Sequence, residues 1–152
     1  MDDFSNPNII NEFDLPPSDH NRIEPGKIPL SSMCPTIITN STDGKVLLAI
    51  GGSGGTQITT SVALVVLRSL FFDESIKRAI DAPRIHHQLL PMKLRHEKNF
   101  DPIILQELRK KGHTTEPITG RGSIVMAIKR RKSDGMLEAN SDFRKGGDVD
   151  GY

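Results

Sequence analysis

The chain of 152 residues has the length of about one domain, and its 36% of hydrophobic residues are enough for a packed core. Its 20 basic and 19 acidic side chains leave a net charge of +1, so no overall field attracts nucleic acid or an anionic membrane. The only cysteine, Cys34, excludes an internal disulfide and a zinc site built from several thiolates.

No segment of the sequence has the pattern of a membrane anchor. The longest apolar stretch, residues 62–72, contains Arg68 and is too short to span a bilayer. The first residues have neither the basic region nor the apolar region of a signal peptide. We therefore expect no direct insertion of this chain into a membrane.

The first thirty residues differ in composition from the rest of the chain. Residues 1–30 contain six acidic and two basic side chains and five prolines, with no hydrophobic periodicity, which predicts an extended loop arm. Residues 33–40 and 45–50 are apolar and β-branched, and the Ser-Thr-Asp-Gly sequence at 41–44 is typical of a turn. These residues predict an antiparallel hairpin.

The second strand of this hairpin runs into the glycine-rich residues 51–55. From Ile58 to Leu70, apolar residues recur every three or four positions, so the pattern predicts a strand, a glycine turn and a helix. A helix that begins after glycines presents unpaired backbone N–H groups, which can bind an anion. The residues alone leave two alternatives, an anion hole or a tight turn. A nucleotide site is disfavoured because Gln57 stands where the dinucleotide fingerprint requires glycine.

The second half of the chain mixes short helices and strands. We expect helices at 74–81 and 102–111, strands at 84–90 and 92–97, and a final hairpin of 123–128 with 136–139. This order indicates an α+β fold in which sheets are layered with helices, without a βαβ repeat.

The remaining polar residues allow both a binding role and a structural role. Ser31 and Ser32 precede a strand and could bind a carboxylate or simply form a turn. Cys34 is interpreted as a packed thiol, and the histidines lack the spacing of a zinc-binding motif, so no metal is expected. The basic residues 129–132 could bind phosphate, but a solvated hairpin end is favoured.

Several segments, taken in order, resemble the small subunit of the γ-glutamyltransferases, also called glutathione hydrolases. The resemblance runs over nearly the whole chain to the terminal Gly-Tyr. It rests on Met-Asp-Asp-Phe-Ser at 1–5, Pro-Leu-Ser-Ser-Met-Cys-Pro-Thr at 29–36, Gly-Gly-Thr-Gln-Ile at 54–58, Ala-Pro-Arg-Ile-His at 82–86 and Arg-Lys-Gly-Gly at 144–147.

The resemblance implies a partial N-terminal-nucleophile hydrolase fold, an αββα sandwich. It implies one small-subunit-like segment over 1–152, with a loop arm at 1–30 and sheet and helix layers at 31–152. The N-terminal strands of the small subunit and the whole large subunit are expected to be missing. Strands 46–50 and 123–128 are then expected to lie at open sheet edges.

The resemblance also implies roles for five residues. Asp3 would bind the α-amino group of the γ-glutamyl donor, and Ser31 and Ser32 would bind its α-carboxylate. Gly54 and Gly55 would donate backbone N–H groups to the tetrahedral oxyanion. The family's nucleophilic threonine lies upstream of the Met-Asp-Asp-Phe motif, outside this sequence, and no cofactor is implied.

We therefore interpret the chain as a fragment that supplies the donor pocket and oxyanion hole of a glutathione hydrolase and that is inactive alone. The alternative is a catalytically inactive light-chain-like protein that acts by binding a partner subunit. The implied partners are glutathione, other γ-glutamyl compounds and the large subunit, and no nucleic acid. The family resemblance implies that the protein is located at the extracellular face of the plasma membrane, where the large subunit would attach it.

Overall fold

The computed structural model describes residues 3–120 and 122–151. Most of the elements lie between residues 36 and 140, after an arm that contains only a 3-10 turn, Asp19–Asn21. In chain order they are β1 (Thr36–Thr39), β2 (Val46–Ser53), α1 (Gln57–Leu70), α2 (Ile76–Asp81), β3 (Ile85–His86), β4 (Leu94–His96), α3 (Pro102–Lys110), β5 (Thr115–Pro117), β6 (Ile124–Arg130) and β7 (Leu137–Asn140).

Four antiparallel strands form the main sheet, in the order β1-β2-β6-β7. Both hairpins agree with the sequence prediction, because β1 pairs with β2 and β6 pairs with β7. The prediction of open edges at 46–50 and 123–128 was wrong. These residues belong to β2 and β6, which pair with each other in the middle of the sheet, so β1 and β7 form the edges.

One face of this sheet is covered by helices α1 and α2. Alternate strand residues point towards the helices, since successive side chains of a strand face opposite sides. The side chains of Leu48 and Val125 are completely buried there, against Val65 of α1 and Ile80 of α2. The hydrophobic core is therefore a single layer between the sheet and two helices.

The opposite face of the sheet is apolar, and no helix or strand of the described residues packs on it. Residues 148–150 of the C-terminal tail line a groove on this face. Ile37 pairs with Ala49, Ala49 pairs with Ile128, and Ile128 pairs with Ala139, so these residues form one row across all four strands. Ile37 is 70% exposed, and Ile128 and its neighbour Met126 are nearly half exposed. We call these five residues the open sheet face.

A second, smaller sheet has the order β3-β4-β5. Its β3 and β4 strands are shorter than predicted. The predicted strand 84–90 includes Leu89, whose positive φ of 74° is incompatible with an extended strand. The sequence analysis did not predict β5, which pairs in parallel with β4. Helix α3 agrees with the prediction: Asp101 caps its start by accepting a hydrogen bond from the Ile103 amide, and Pro102 is its first residue.

A buried ionic cluster joins the two sheets. Asp142 is completely buried and accepts hydrogen bonds from Arg84 at 2.6 Å, from Arg144 at 3.0 Å and from the Val125 amide at 2.8 Å. Arg144 also pairs with Glu97 at 2.6 Å. Burial acts to raise the pKa of Asp142, but these hydrogen bonds outweigh it, so the pKa lies below its ordinary value.

We expect Asp142→Asn to lower the free energy of unfolding by about 3–5 kcal/mol, because it leaves the buried Arg84 without its counter-charge. Urea denaturation at concentrations where the chain is monomeric measures this. Asp134→Asn is the matched control, since Asp134 pairs with an arginine on the exposed surface and its loss should barely change stability. Equal effects of the two substitutions would contradict the prediction.

Candidate functional site

The turn between β2 and α1 has the geometry of an anion-binding site. Gly54 and Gly55 have φ angles of 132° and 57°, which side chains rarely adopt. A Cβ atom on Gly54 would lie 2.8 Å from the Ser123 Cα atom, and one on Gly55 would overlap the Phe13 ring. The backbone N–H groups of both glycines donate to no residue in the described part of the chain. Two free donors therefore stand side by side at the helix start.

A cavity of about 720 Å³ lies beside this turn, between the loop arm and α1. Asp3, Ser31 and Ser32 all line it, although 28 positions separate the aspartate from the first serine. Gly54 and Gly55 are not among the lining residues, but Thr56, which directly follows them, is. The structure thus brings the three side chains predicted to bind substrate into one cavity next to the glycine turn.

The individual predicted residues differ in their local environment. Asp3 and Ser31 are exposed and Ser32 is half-buried. The Ser31 hydroxyl accepts a hydrogen bond from the Met33 amide at 3.2 Å, which is the turn geometry that the sequence left as an alternative. Asp2, the neighbour of Asp3 in the motif, lies outside the described residues.

Asn21 connects the two walls of the cavity and was missed by the sequence analysis. Its side-chain amide donates to the Asp3 carbonyl at 2.8 Å and accepts from the Leu30 amide at 2.8 Å. Leu30 directly precedes the serine pair, so one carboxamide sets the spacing between Asp3 and Ser31. Nothing in the sequence pattern distinguishes Asn21 from the other asparagines of the arm.

Gln88 and His86 form a second polar group beside the cavity. The sequence analysis named His86 only within the Ala-Pro-Arg-Ile-His motif and among the histidines without a metal-binding spacing, and it did not single out Gln88. The Gln88 carboxamide lines the cavity and contacts Thr56, His86 and the Phe13 carbonyl. His86 is only 4% exposed, and its Nδ1 atom lies 2.8 Å from the Thr60 hydroxyl of α1. These hydrogen-bonded contacts connect helix α1 to the loop arm.

Known proteins match this chain over its whole length. A sequence model described as gamma-glutamyltranspeptidase matches residues 1–152. This chain belongs to that family. The solved structure of a Helicobacter pylori gamma-glutamyltranspeptidase variant superposes with a TM-score of 0.83 at 35% identity and covers 95% of this chain and 78% of the other. The α+β fold is therefore part of the N-terminal-nucleophile hydrolase fold, as the sequence indicated.

Curated relatives of this chain include two proteins of Scolopendra dehaani. Scoloptoxin SSD14 is 52% identical over 99% of this chain, and Scoloptoxin SSD20 is 51% identical over 100% of it. The glutathione hydrolase proenzyme of Escherichia coli is 40% identical over 98% of the chain. The chain spans 26% of the first relative, 76% of the second and 25% of the third.

The basic residues discussed from the sequence make contacts away from the cavity. In the basic run at 129–132, Lys129 is buried and donates to the carbonyls of Ser69 and Glu74, and Arg131 pairs with Asp134. Within residues 3–120 and 122–151, no cluster of three potential metal ligands is found. The helices in the same ranges are all too short or too polar to cross a membrane.

Burial of His86 makes the free energy of unfolding depend on pH. Burial is the largest influence and lowers its pKa, the contact with Gln88 acts in the opposite direction, and the charges of Arg95 and His87 lower it further. Between this lowered pKa and about pH 6.5, His86 therefore binds fewer protons in the folded chain than in the unfolded chain. The stability that neutral His86 provides is present above that pH and is lost as the pH falls through the lowered pKa.

We expect the melting temperature of the chain to decrease when the pH is lowered from 7.5 to 5. The substitution His86→Gln should make this decrease smaller. Thermal unfolding at a series of pH values measures the difference. His20→Gln is the control, because His20 is exposed and its replacement should leave the pH dependence unchanged. A pH dependence that is the same in the parent chain and in His86→Gln would show that another group causes it.

Proposed function

We propose that this chain supplies the donor cavity and the oxyanion hole of a gamma-glutamyltransferase. Such an enzyme cleaves the γ-glutamyl amide of glutathione and transfers the γ-glutamyl group to water, an amino acid or a peptide. The observation that carries the proposal is the convergence of Asp3, Ser31 and Ser32 on one cavity beside two glycine amides that have no acceptor among the described residues. The name of the Escherichia coli relative, a glutathione hydrolase proenzyme, supports the substrate class.

The cavity has groups that complement both charges at the amino-acid end of a γ-glutamyl donor. The Asp3 carboxylate is suited to the α-ammonium group, because charge-assisted hydrogen bonds are stronger than neutral ones. The Ser31 and Ser32 hydroxyls can donate to the α-carboxylate. Asn21 holds these two sides at a fixed spacing, so the cavity selects a group that carries both charges on one carbon.

The glycine turn is suited to the charge that develops during acyl transfer. When a nucleophile attacks the γ-carbonyl carbon, the carbonyl oxygen becomes an oxyanion. The N–H groups of Gly54 and Gly55 can donate to that oxygen without reorganisation, because no residue in the described ranges accepts from them. The attacking threonine of the family would be supplied from outside these 152 residues.

A chimaeric proenzyme tests this function. In it, this chain replaces the matching segment of the Escherichia coli glutathione hydrolase proenzyme, and hydrolysis of a γ-glutamyl chromogenic amide is measured. We expect activity in the chimaera. Gly55→Val should lower kcat by about 10² to 10³, because it displaces an oxyanion donor. Asp3→Asn should mainly raise KM for the donor, because it removes the charge that pairs with the ammonium group.

Two remote substitutions serve as matched controls for these variants. Gly112 also has a positive φ but lies at the end of α3, so Gly112→Val should leave kcat unchanged. Asp43 lies in the exposed β1–β2 turn, so Asp43→Asn should leave KM unchanged. If Gly55→Val kept kcat within about threefold of the parent while Asp3→Asn left KM unchanged, the roles proposed for these residues would be wrong.

The open sheet face supports the large subunit as the partner of this chain. In an αββα sandwich two sheets pack face to face, about 10 Å apart. The open sheet face forms a groove of about 490 Å³ lined by apolar residues such as Ile37, Met126 and Ile128, and it lies opposite the helix layer. A sheet that includes strands of the large subunit would bury these side chains and complete the sandwich.

We expect Ile128→Asp to reduce the amount of large subunit that co-purifies with the small subunit of the chimaera by at least tenfold, because a carboxylate would be buried without a partner. Ile103→Asp is the control, since Ile103 is exposed on α3, away from the main sheet. Equal co-purification in the two variants would contradict the proposed interface. Subunits that assemble without any activity in the parent chimaera would instead favour the alternative, an inactive binding protein.

A further inference from the structure

The side chain of Gln88 uses all of its hydrogen-bonding groups. Its Nε2 atom donates to the Phe13 carbonyl at 2.6 Å and to the Leu90 carbonyl at 2.8 Å. Its Oε1 atom accepts from the Thr56 hydroxyl at 2.7 Å and contacts His86 Nε2 at 2.8 Å. Because both amide hydrogens are directed at carbonyls, the orientation of the carboxamide is fixed.

Two of these partners lie at the glycine turn, one in the chain directly after it and one in the loop arm. Thr56 directly follows Gly55 in the chain, so its hydroxyl fixes the end of the turn from which α1 begins. Phe13 belongs to the loop arm, and its ring lies against Gly55, where a Cβ atom would overlap it. Gln88 therefore links the backbone that carries the glycine amides to the segment of the arm that covers them.

His86 contacts the Gln88 carboxamide on the side that faces the protein interior. The imidazole is almost fully buried, with Nε2 on the Gln88 oxygen and Nδ1 on the Thr60 hydroxyl of α1. The Gln88 oxygen accepts the Nε2 hydrogen, so the tautomer with its proton on Nε2 fits this network. The support for Gln88 thus comes from the same helix whose start forms the anion site.

We propose that Gln88 is a positioning residue that fixes the Gly54–Gly55 turn and arm residues 11–15 in one arrangement. The position of the arm beside the donor cavity and the alignment of the glycine amides are then coupled to each other. The inference rests on the proposed function for its catalytic consequence. Gln88 acts through Thr56 and Phe13, and the glycine amides remain the groups that bind the oxyanion.

Kinetics of the chimaera separate the two links that Gln88 makes. Thr56→Val removes only the link to the turn, and we expect kcat to fall about tenfold with KM within threefold of the parent. Thr56→Ser keeps the hydroxyl and should restore most of kcat. Gln88→Met also releases the arm, so kcat should fall and KM should rise. Adding Thr56→Val to Gln88→Met should lower kcat no further, because both act through one hydrogen bond.

Hydrogen exchange on the full 152-residue chain tests the coupling without any need for activity. The amides of Leu15 and Ile58 report on the arm and the turn, since each donates a hydrogen bond next to a Gln88 partner. Gln88→Met should accelerate exchange in both segments by about tenfold and leave α3 unchanged. Gln106→Met on the exposed side of α3 is the matched control and should change neither segment.

The outcomes distinguish this inference from the proposed function. An active chimaera in which neither Gln88→Met nor Thr56→Val lowers kcat would overturn the role of Gln88 and leave the proposed function intact. Exchange that accelerates in only one segment, or in neither, would also overturn it. An inactive parent chimaera contradicts the proposed function, and the exchange measurement alone then decides whether Gln88 couples the arm to the turn.

Discussion

The ion pair between Arg84 and Asp142 is the interaction on which the rest of the site depends. Both side chains are almost completely buried, so each charge offsets much of the cost of burying the other. Arg84 also donates to the Ser123 carbonyl at 2.8 Å, and Ser123 is the residue against which Gly54 packs. The position of the glycine turn therefore depends on a charge pair that does not line the cavity.

The elements that were predicted correctly are those marked by neighbouring residues in the sequence. The strand, glycine turn and helix over 46–70 follow from glycines and helical periodicity, and the caps of α3 identify its limits. The arrangement of the strands could not be predicted in this way. The pairing of β2 with β6 joins residues about 80 positions apart, and β5 has three residues, one of them a proline, with no periodicity to detect.

The same distinction applies to the candidate site. Gly54 and Gly55 stand out from the sequence, and family resemblance added Asp3, Ser31 and Ser32. Residues such as Asn21 and Gln88 were not predicted, because their importance arises from contacts made across the chain. Gln88 donates a hydrogen bond to Phe13, which is 75 positions away in the sequence. An isolated glutamine in a loop has no sequence pattern that reveals this contact.

The two faces of the main sheet contribute to the protein in different ways. The face under α1 and α2 is buried within the chain, so its side chains stabilise the fold at any concentration. In the proposed assembly, the open sheet face would be stabilised only when a partner covers it, and that contribution would follow mass action. Substitutions there would then shift the concentration at which the complex forms, and the apparent melting temperature of the assembly would depend on how much partner is present.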